Sequence, residues 1–428
     1  MDTREPHDTD VPADRLPLLR RLGPGLITGA ADDDPSGIAT YSQAGAQYGY
    51  GLVWSVVFTL PLMVGIQTVS ARIGRVTGKG LAANIRDHYP GWLLHAVVAL
   101  LVVANTINIA ADLGAMGNVL ELLVGGPSQL YIVLFALVSL TLQVFIPFPR
   151  YAPVLKWLTL SLLAYVGALL GAGVRWEELA LASLLPRPEW KPEYIATLVA
   201  VLGTTISPYL FFWQASQEVE EQIATPGHEP LREAPHQARE HLRRIKLDTW
   251  IGMAFSNVVA LCIMATAAAT LHQAGVTAIT TAEQAASALR PIAGDFSFLL
   301  FSAGIIGTGL LAVPVLAGSA AYAVAESRRW PTGLGLSLAE ARGFYGVLAA
   351  ATLVGVAVDF THVDPVKALY FAAVVNGVIA VPIMIVMMKL AVEPDVMGPF
   401  TANRRLRALG WLSVAVMAAA VVAMFATL

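Results

Sequence analysis

Long apolar stretches alternate with short charged segments along almost the whole chain. A helix needs about 20 mostly apolar residues to cross the hydrocarbon of a bilayer, and the charged residues lie mainly between stretches of this length. The pattern predicts eleven membrane-spanning helices, of which the first and the sixth are interrupted. Their approximate limits are 23–48, 51–71, 92–116, 129–147, 153–173, 194–219, 249–272, 296–325, 343–359, 368–388 and 408–427.

The composition agrees with this pattern. Apolar residues make up 56% of the 428 residues and charged residues only 13%, whereas a soluble domain carries about 25% charged residues. The single cysteine, Cys262, excludes a disulfide within the chain. The sequence therefore predicts an all-α integral membrane protein that contacts the lipid bilayer, has no nucleic-acid partner and is expected to be a monomer.

The positions of lysine and arginine predict the orientation. Cytoplasmic loops of membrane proteins carry an excess of these residues. If the N-terminus is cytoplasmic, five of the 27 fall on the opposite side, namely Arg175, Arg187, Lys191, Arg290 and Lys367. We therefore expect, in the inner (plasma) membrane, a cytoplasmic N-terminus and an extracytoplasmic C-terminus. Residues 1–20 lack the apolar core of a signal peptide and are predicted to form a disordered cytoplasmic tail.

Both interrupted spans contain a proline within apolar sequence. The first reads GPGLITGAADDDPSGIATYSQAGAQYGY, in which three aspartates precede the second proline, and the sixth contains GTTISPY. A proline disfavours helical geometry at the residue that precedes it. Irregular backbone at membrane depth is tolerated only when it is buried in protein or lines a water-filled cavity. Two such breaks at matching places in two halves predict a transporter of inverted repeats, with its binding site at the breaks.

The three carboxylates of the first break make a cation the expected ligand. Ionisable residues inside a span are costly and mark functional sites, and carbonyl groups freed at helix ends add partial negative charge. Three interpretations of Asp32 and Asp33 remain open. They bind the cation through water, or they are partly protonated, because neighbouring carboxylates disfavour one another's charge. In the third, an organic cation such as an amine neutralises them.

These segments resemble the Nramp family of divalent-metal transporters. The family shows a Gly-Pro start, an Asp-Pro-Gly-Asn break and a later Gly-x-x-Phe/Tyr-Gly-Tyr in its first span, and Gly-x-Thr-x-Met-Pro-His in its sixth. The resemblance covers roughly residues 20–428. It implies the LeuT fold, with spans 1–5 and 6–10 as inverted repeats, and transport of Mn²⁺ or Fe²⁺ coupled to protons. The expected transporter domain is 21–428, with repeats at about 21–173 and 194–390 and an extra span at about 408–427.

The resemblance also places the family's site residues on this chain, with several departures. The family aspartate falls on Asp34, but its asparagine falls on Gly37, its methionine on Ser207 and its histidine on Tyr209. In the third span Asp112 is present, while the glutamate three residues later is replaced by alanine. The glutamine of the tenth span is also missing.

Loss of the methionine changes the expected cation. A thioether favours soft transition metals, whereas oxygen ligands suit hard ions such as Mg²⁺. We therefore expect a hard ion such as Mg²⁺ or Mn²⁺ to be favoured over Fe²⁺, and proton coupling to be weak or absent because the histidine and the glutamate are missing. The candidate metal ligands are Asp34, Ser207, Asp33, Asp32 and Thr204, and the candidate cavity residues are Gly37, Tyr209, Asp112, Gln43 and Asn376.

Two alternatives to a metal transporter follow from the same residues. The same fold would carry an organic cation if Tyr209 and Trp213 offered it their aromatic faces. A membrane-embedded enzyme would hold a magnesium diphosphate, but no second acidic motif accompanies DDDPSG. The sequence favours a transporter that is not an enzyme and has no cofactor, the divalent cation being its substrate.

Charged residues after the second break are expected at the cytoplasmic end of the sixth span. Glu218, Glu220 and Glu221 either lie on a solvated face or pair with Arg243 and Arg244. The following segment, TPGHEPLREAPHQAREHLRRIKLD, is expected to be a solvated loop, because its three histidines do not have the spacing of a zinc site.

Overall fold

The computed structural model describes residues 24–146, 162–361 and 364–427. Within these residues the chain is helical, and no β-strand occurs. The predicted cytoplasmic tail and the first part of the predicted fifth span lie outside the described residues. The main helices are α1 (Pro24–Asp32), α2 (Pro35–Tyr48), α3 (Val53–Thr77), α4 (Leu81–His88), α5 (Gly91–Val124), α6 (Ser128–Phe145), α7 (Leu163–Gly171), α8 (Trp176–Leu184), α9 (Pro192–Thr205), α10 (Pro208–Ala224), α11 (Ala238–Ala267), α12 (Ser297–Arg328), α13 (Arg342–Asp359), α14 (Pro365–Val392) and α15 (Arg404–Thr427).

Nine helical segments of the described chain are long and apolar enough to cross a membrane. One of them, Pro35–Thr77, contains both α2 and α3, and of the predicted fifth span the described residues include only α7. The all-α membrane class is therefore confirmed. The count of eleven spans and the limits of the two repeats stay predictions.

Both predicted interruptions are present, and each ends at a proline. Asp34, between α1 and α2, has an extended backbone with φ −72° and ψ 170°. Ser207, between α9 and α10, has φ −83° and ψ 131°. In both cases the proline is the first residue of the second half-helix. An N–H group at this position has no intrahelical partner, so the missing N–H of proline costs no hydrogen bond. The local sequence thus accounts for the position of each break.

Glycine residues let the broken helices approach their neighbours closely. A Cβ atom on Gly29 of α1 would overlap the backbone of Gly252 in α11, and one on Gly203 of α9 would overlap the carbonyl of Ala373 in α14. A buried carboxylate also ties α1 to α11, since Asp248 accepts a 2.6 Å hydrogen bond from the N–H of Gly25. The two broken helices are therefore packed closely against α11 and α14.

The segment before α11 corrects one prediction. A solvated loop was expected up to about residue 248, but α11 begins at Ala238. The buried residues of this extension are Ala238, His241, Ile245 and Asp248, a spacing that places them on one helical face. The helix therefore continues beyond its apolar stretch because one side of the charged segment packs against the protein.

Candidate functional site at the two helix breaks

Asp34 caps the second half of the first broken helix. Its Oδ1 atom accepts hydrogen bonds of 2.7 Å from the hydroxyl of Ser36 and of 2.7 Å from the N–H of Gly37. The side chain is only 2% exposed. The carboxylate is therefore fixed at the helix N-terminus, where the peptide dipoles favour negative charge, and it lies in the break itself.

The second break presents oxygen atoms at the same place. The hydroxyl of Ser207 donates to the carbonyls of Gly203, at 2.9 Å, and Thr204, at 3.0 Å, and its lone pairs stay available to a cation. A Cβ atom on Gly37 would lie 3.1 Å from the hydroxyl oxygen of Thr204 and 3.4 Å from Oδ1 of Asp34. Gly37, Thr204 and Asp34 therefore meet where the two breaks face each other.

Tyr209 connects the two broken helices. Its hydroxyl, in the first turn of α10, donates a 3.0 Å hydrogen bond to the carbonyl of Ala31 in the last turn of α1. That carbonyl belongs to the group that a helix C-terminus leaves without intrahelical partners. The charges of Asp34, Asp32 and Asp112 all act on this hydroxyl, so Tyr209 lies among the predicted site carboxylates.

The aspartate triplet divides into two groups. Asp32 and Asp33 both accept from the hydroxyl of Ser256 in α11, at 2.6 and 3.1 Å, while Asp34 caps α2. Oδ1 of Asp32 and Oδ2 of Asp33 are buried and accept no hydrogen bond from any residue that the structure describes. In the described part of the chain no three His, Cys, Asp or Glu side chains are placed to hold one metal ion. Direct ligation by the whole triplet stays a prediction.

Asp112 lies in the middle of α5 with both carboxylate oxygens buried, and it interacts with the backbone N–H of Ser36 just after the first break. The charges of Asp34 and Asp359 both act on Asp112, so the three carboxylates lie in one region of the protein. Asp359 ends α13 and approaches α5 closely, since a Cβ atom on Gly114 would lie 2.6 Å from its Oδ1. The sequence interpretation missed Asp359, because a carboxylate at the end of a span is normally solvated.

The two predicted cavity amides are engaged with other parts of the protein. Asn376 exchanges a pair of hydrogen bonds with Asn108 of α5, at 2.9 and 3.1 Å, and is fully buried. Gln43 accepts from the N–H of Ile279 at 2.8 Å and donates to the carbonyl of Thr277 at 3.3 Å. Both amides hold helices or loops together, and their roles toward a substrate stay predictions.

Charged residues of α10 and α11 form a partly buried network beyond the second break. Arg244 contacts Glu218 and Glu221, each at 2.6 Å. The predicted pairing with Arg244 is thus confirmed, whereas a solvated face is wrong for Glu218, which is fully buried. Burial, and then the charge of Arg75, holds the pKa of the nearby His228 below its usual value.

The sequence and the fold were both compared with known proteins. The model of the family described as natural resistance-associated macrophage protein-like, or Nramp, matches residues 25–427. A divalent metal cation transporter, MntH, of Aeromonas hydrophila subsp. hydrophila is 30% identical over 318 residues, which cover 71% of this chain and 72% of the relative.

Two solved structures share the fold. The manganese transporter of Eremococcus coleocola, solved with an aromatic bis-isothiourea compound, superposes with a TM-score of 0.73 at 18% identity and covers 98% of this chain and 87% of its own. Mhp1, a nucleobase-cation-symport-1 family transporter with bromovinylhydantoin bound, gives a TM-score of 0.56 at 14% identity over 95% of this chain and 92% of its own. The chain therefore shares the fold of these two transporters, as expected, while its division into inverted repeats stays a prediction.

Proposed function

Because the chain belongs to the Nramp family, we propose that it is a transporter, not an enzyme, that carries a divalent metal cation bound between its two helix breaks. The family model covers residues 25–427, which include both breaks. The observation that carries the proposal is the meeting of Asp34, Gly37 and Thr204 at one buried point. A fixed carboxylate inside a membrane protein, next to hydroxyl oxygens and helix-end carbonyls, is suited to a cation.

The proposed ligands are all oxygen atoms. Asp34 supplies the charge, Ser207 and Thr204 supply hydroxyl oxygens, and the carbonyl of Ala31 keeps a second lone pair beside its bond from Tyr209. Oxygen ligands of this kind suit hard ions, and Mg²⁺ in particular keeps several waters and needs one or two carboxylates. We infer a preference for Mg²⁺ or Mn²⁺ over Fe²⁺.

Access to the site is proposed to alternate between the two sides of the membrane. The half-helices α1 and α10 meet at the bond between Ala31 and Tyr209, and a shift of either one changes the ligand set. Proton coupling is proposed to be weak or absent, because the site positions of the family histidine and glutamate hold Tyr209 and Ala115. Asp32 and Asp33 are proposed to act on the cation through water, since both face Ser256.

Uptake into sealed vesicles tests this proposal. The purified protein is reconstituted, and entry of Mg²⁺, Mn²⁺ and Fe²⁺ is followed with fluorescent reporters, with and without a pH gradient. Asp34→Asn is expected to lower uptake of every ion at least tenfold. Asp364→Asn is a matched control, because Asp364 also caps a helix that begins with proline, accepting from the N–H groups of Val366 and Lys367 at 2.9 and 3.3 Å.

Three outcomes decide the issue. Equal loss in both aspartate variants assigns Asp34 a capping role only and overturns the proposed site. Uptake of Fe²⁺ in preference to Mg²⁺ and Mn²⁺ overturns the argument from oxygen ligands. Internal acidification that follows metal entry in proportion overturns weak coupling.

A further inference from the structure

An apolar groove of about 500 Å³ lies between α3, α9 and α15, away from the two breaks. Leu62 of α3, Leu198 and Leu202 of α9, and Val416 and Ala423 of α15 line it. The lining residues of α15 extend from 409 to 423, which corresponds to roughly 21 Å along a helix. The groove therefore extends over much of the ~30 Å hydrocarbon thickness of a bilayer.

The polar side chains in the groove are already hydrogen-bonded within the protein. Ser55 and Thr59 donate to carbonyls three residues earlier in the chain, at 2.6 and 3.0 Å. The hydroxyl of Tyr194 donates to a carbonyl at 3.2 Å and accepts from the indole N–H of Trp54 at 3.2 Å. A ligand of this groove is therefore recognised by its apolar surface rather than by hydrogen bonds.

One end of the groove has the residues of a membrane–water interface. Trp190 lines this end and is 79% exposed. Its neighbours Glu189 and Lys191 form an exposed ion pair of 2.7 Å. Tryptophan is enriched at the headgroup level of membranes, and this end lies on the side predicted to be extracytoplasmic. The groove thus runs from the headgroup level into the hydrocarbon region.

We propose that this groove binds one acyl chain of a phospholipid of the outer leaflet, with the headgroup next to Trp190 and Lys191. The lining of the groove offers water no hydrogen bonds. If the groove stayed empty, its lining atoms would lack dispersion contacts on the open side. Hydrocarbon chains are the material that surrounds a transporter at this depth. An acyl chain matches the groove in polarity, in length and in the position of its polar end.

The groove places the bound acyl chain close to the second helix break. Leu202, which lines it, directly precedes Gly203, whose carbonyl accepts from the hydroxyl of Ser207 in the second break. α15 belongs to neither predicted repeat, so the lipid would join this extra helix to the half-helix α9. The inference goes beyond metal transport and does not depend on which ion is carried.

Two groove variants and one matched control test it. Val416→Trp and Ala423→Trp place an indole in the groove, while Ala415→Trp places one on an exposed part of the same helix outside the lining. Each full-length protein is purified in mild detergent, and phospholipid phosphorus per chain is measured. The wild type and Ala415→Trp are expected to retain about one phospholipid more than either groove variant. Equal retention in all four proteins overturns the proposal.

A second measurement locates the bound acyl chain. The delipidated protein is loaded with phosphatidylcholine carrying brominated acyl chains, which quench nearby tryptophan, and the Trp54→Phe variant gives the share of Trp54 by difference. Emission from Trp54 is expected to fall at least twofold, and Ala423→Trp is expected to protect it. Loss of a dimer on cross-linking of the groove variants, with lipid retention unchanged, assigns the groove to a second copy of the chain and overturns the lipid. Neither measurement requires metal transport, so the lipid proposal and the proposed function can fail independently of each other.

Discussion

The hydroxyl of Tyr209 donates a 3.0 Å hydrogen bond to the main-chain carbonyl of Ala31, and this bond links the two broken helices at the candidate site. A carbonyl oxygen has two lone pairs, so the bond leaves one of them for a cation. The relationship makes Tyr209 a positioning residue: it fixes one half-helix against the other and holds a carbonyl in the site.

Replacement of this tyrosine tests the role of the carbonyl. Tyr209→Phe leaves the carbonyl of Ala31 without its donor, which is expected to destabilise the metal-free protein by about 1–3 kcal/mol. Bound Mg²⁺ or Mn²⁺ then satisfies the carbonyl, so the metal-induced rise in Tm is expected to exceed that of the wild type. Tyr345→Phe, which removes a 2.8 Å bond to the carbonyl of Leu336, is the control. A metal-induced rise no larger than in the control excludes Ala31 as a ligand.

Ser207→Met tests the selectivity argument. The variant replaces a hydroxyl oxygen with a thioether, which favours softer transition metals. Competition uptake in vesicles is expected to shift toward Fe²⁺ relative to Mg²⁺ by about tenfold, equivalent to ~1.4 kcal/mol. Ser207→Ala removes the oxygen without adding sulfur and is expected to weaken both ions together. An unchanged Fe²⁺ to Mg²⁺ ratio in the methionine variant means that residue 207 does not contact the ion.

Ser256 is expected to be energetically coupled to the first two aspartates. Ser256→Ala removes the one hydroxyl that both carboxylates share, and loss of a hydrogen bond to a charged group costs about 1.5–3 kcal/mol. In a double-mutant cycle with Asp32→Asn, followed by thermal unfolding in detergent, the two effects are expected to be less than additive by about 0.5 kcal/mol or more. Strict additivity means that the bond is not made in the folded protein.

Replacement by methionine is expected to affect the stability of the folded protein differently at Arg75 and at Arg244. The guanidinium nitrogens of Arg75 are buried and make no hydrogen bond to a described residue, although the charges of Glu218 and Glu221 act on Arg75. Arg244, in contrast, forms direct ion pairs with both glutamates. Arg75→Met is expected to leave stability unchanged or to raise it, because a buried charge without hydrogen-bonded partners is costly. Arg244→Met leaves the buried carboxylate of Glu218 uncompensated and is expected to destabilise by about 3–5 kcal/mol. Comparable destabilisation by both variants assigns Arg75 a partner in the membrane-embedded protein.

Gly29 is expected to tolerate no side chain. A Cβ atom there overlaps the backbone of Gly252, so Gly29→Ala forces α1 away from α11, and overpacking of this kind costs about 1–3 kcal/mol or more. Gly346 in α13 has nothing within 4 Å of its Cβ position. Gly346→Ala is therefore expected to be neutral or to stabilise by up to about 1 kcal/mol. Monodispersity and Tm in detergent measure both, and equal Tm values for the two variants contradict the close approach of α1 and α11.

The positions of the helices and of both breaks could be predicted because their causes are local. An apolar run that is long enough to cross the hydrocarbon of a bilayer forms a helix. A proline interrupts that helix at the preceding residue, whatever tertiary contacts surround the proline. The start of α11 was missed for the opposite reason. Its first turns are charged rather than apolar, and the face that contains His241 and Ile245 packs against the rest of the protein, which an apolar-run criterion does not detect.

The sequence by itself determined the membrane class, the two breaks and the presence of a carboxylate in the first of them. Tertiary structure alone decided how the three neighbouring aspartates divide, with Asp34 capping α2 and the other two bonded to Ser256, more than 220 residues away. It also decided that Asn376 pairs with Asn108 and that Tyr209 reaches Ala31. The physical reason is that steric limits on the backbone act between adjacent residues, whereas a buried polar group takes whichever partner helix packing brings within 3 Å.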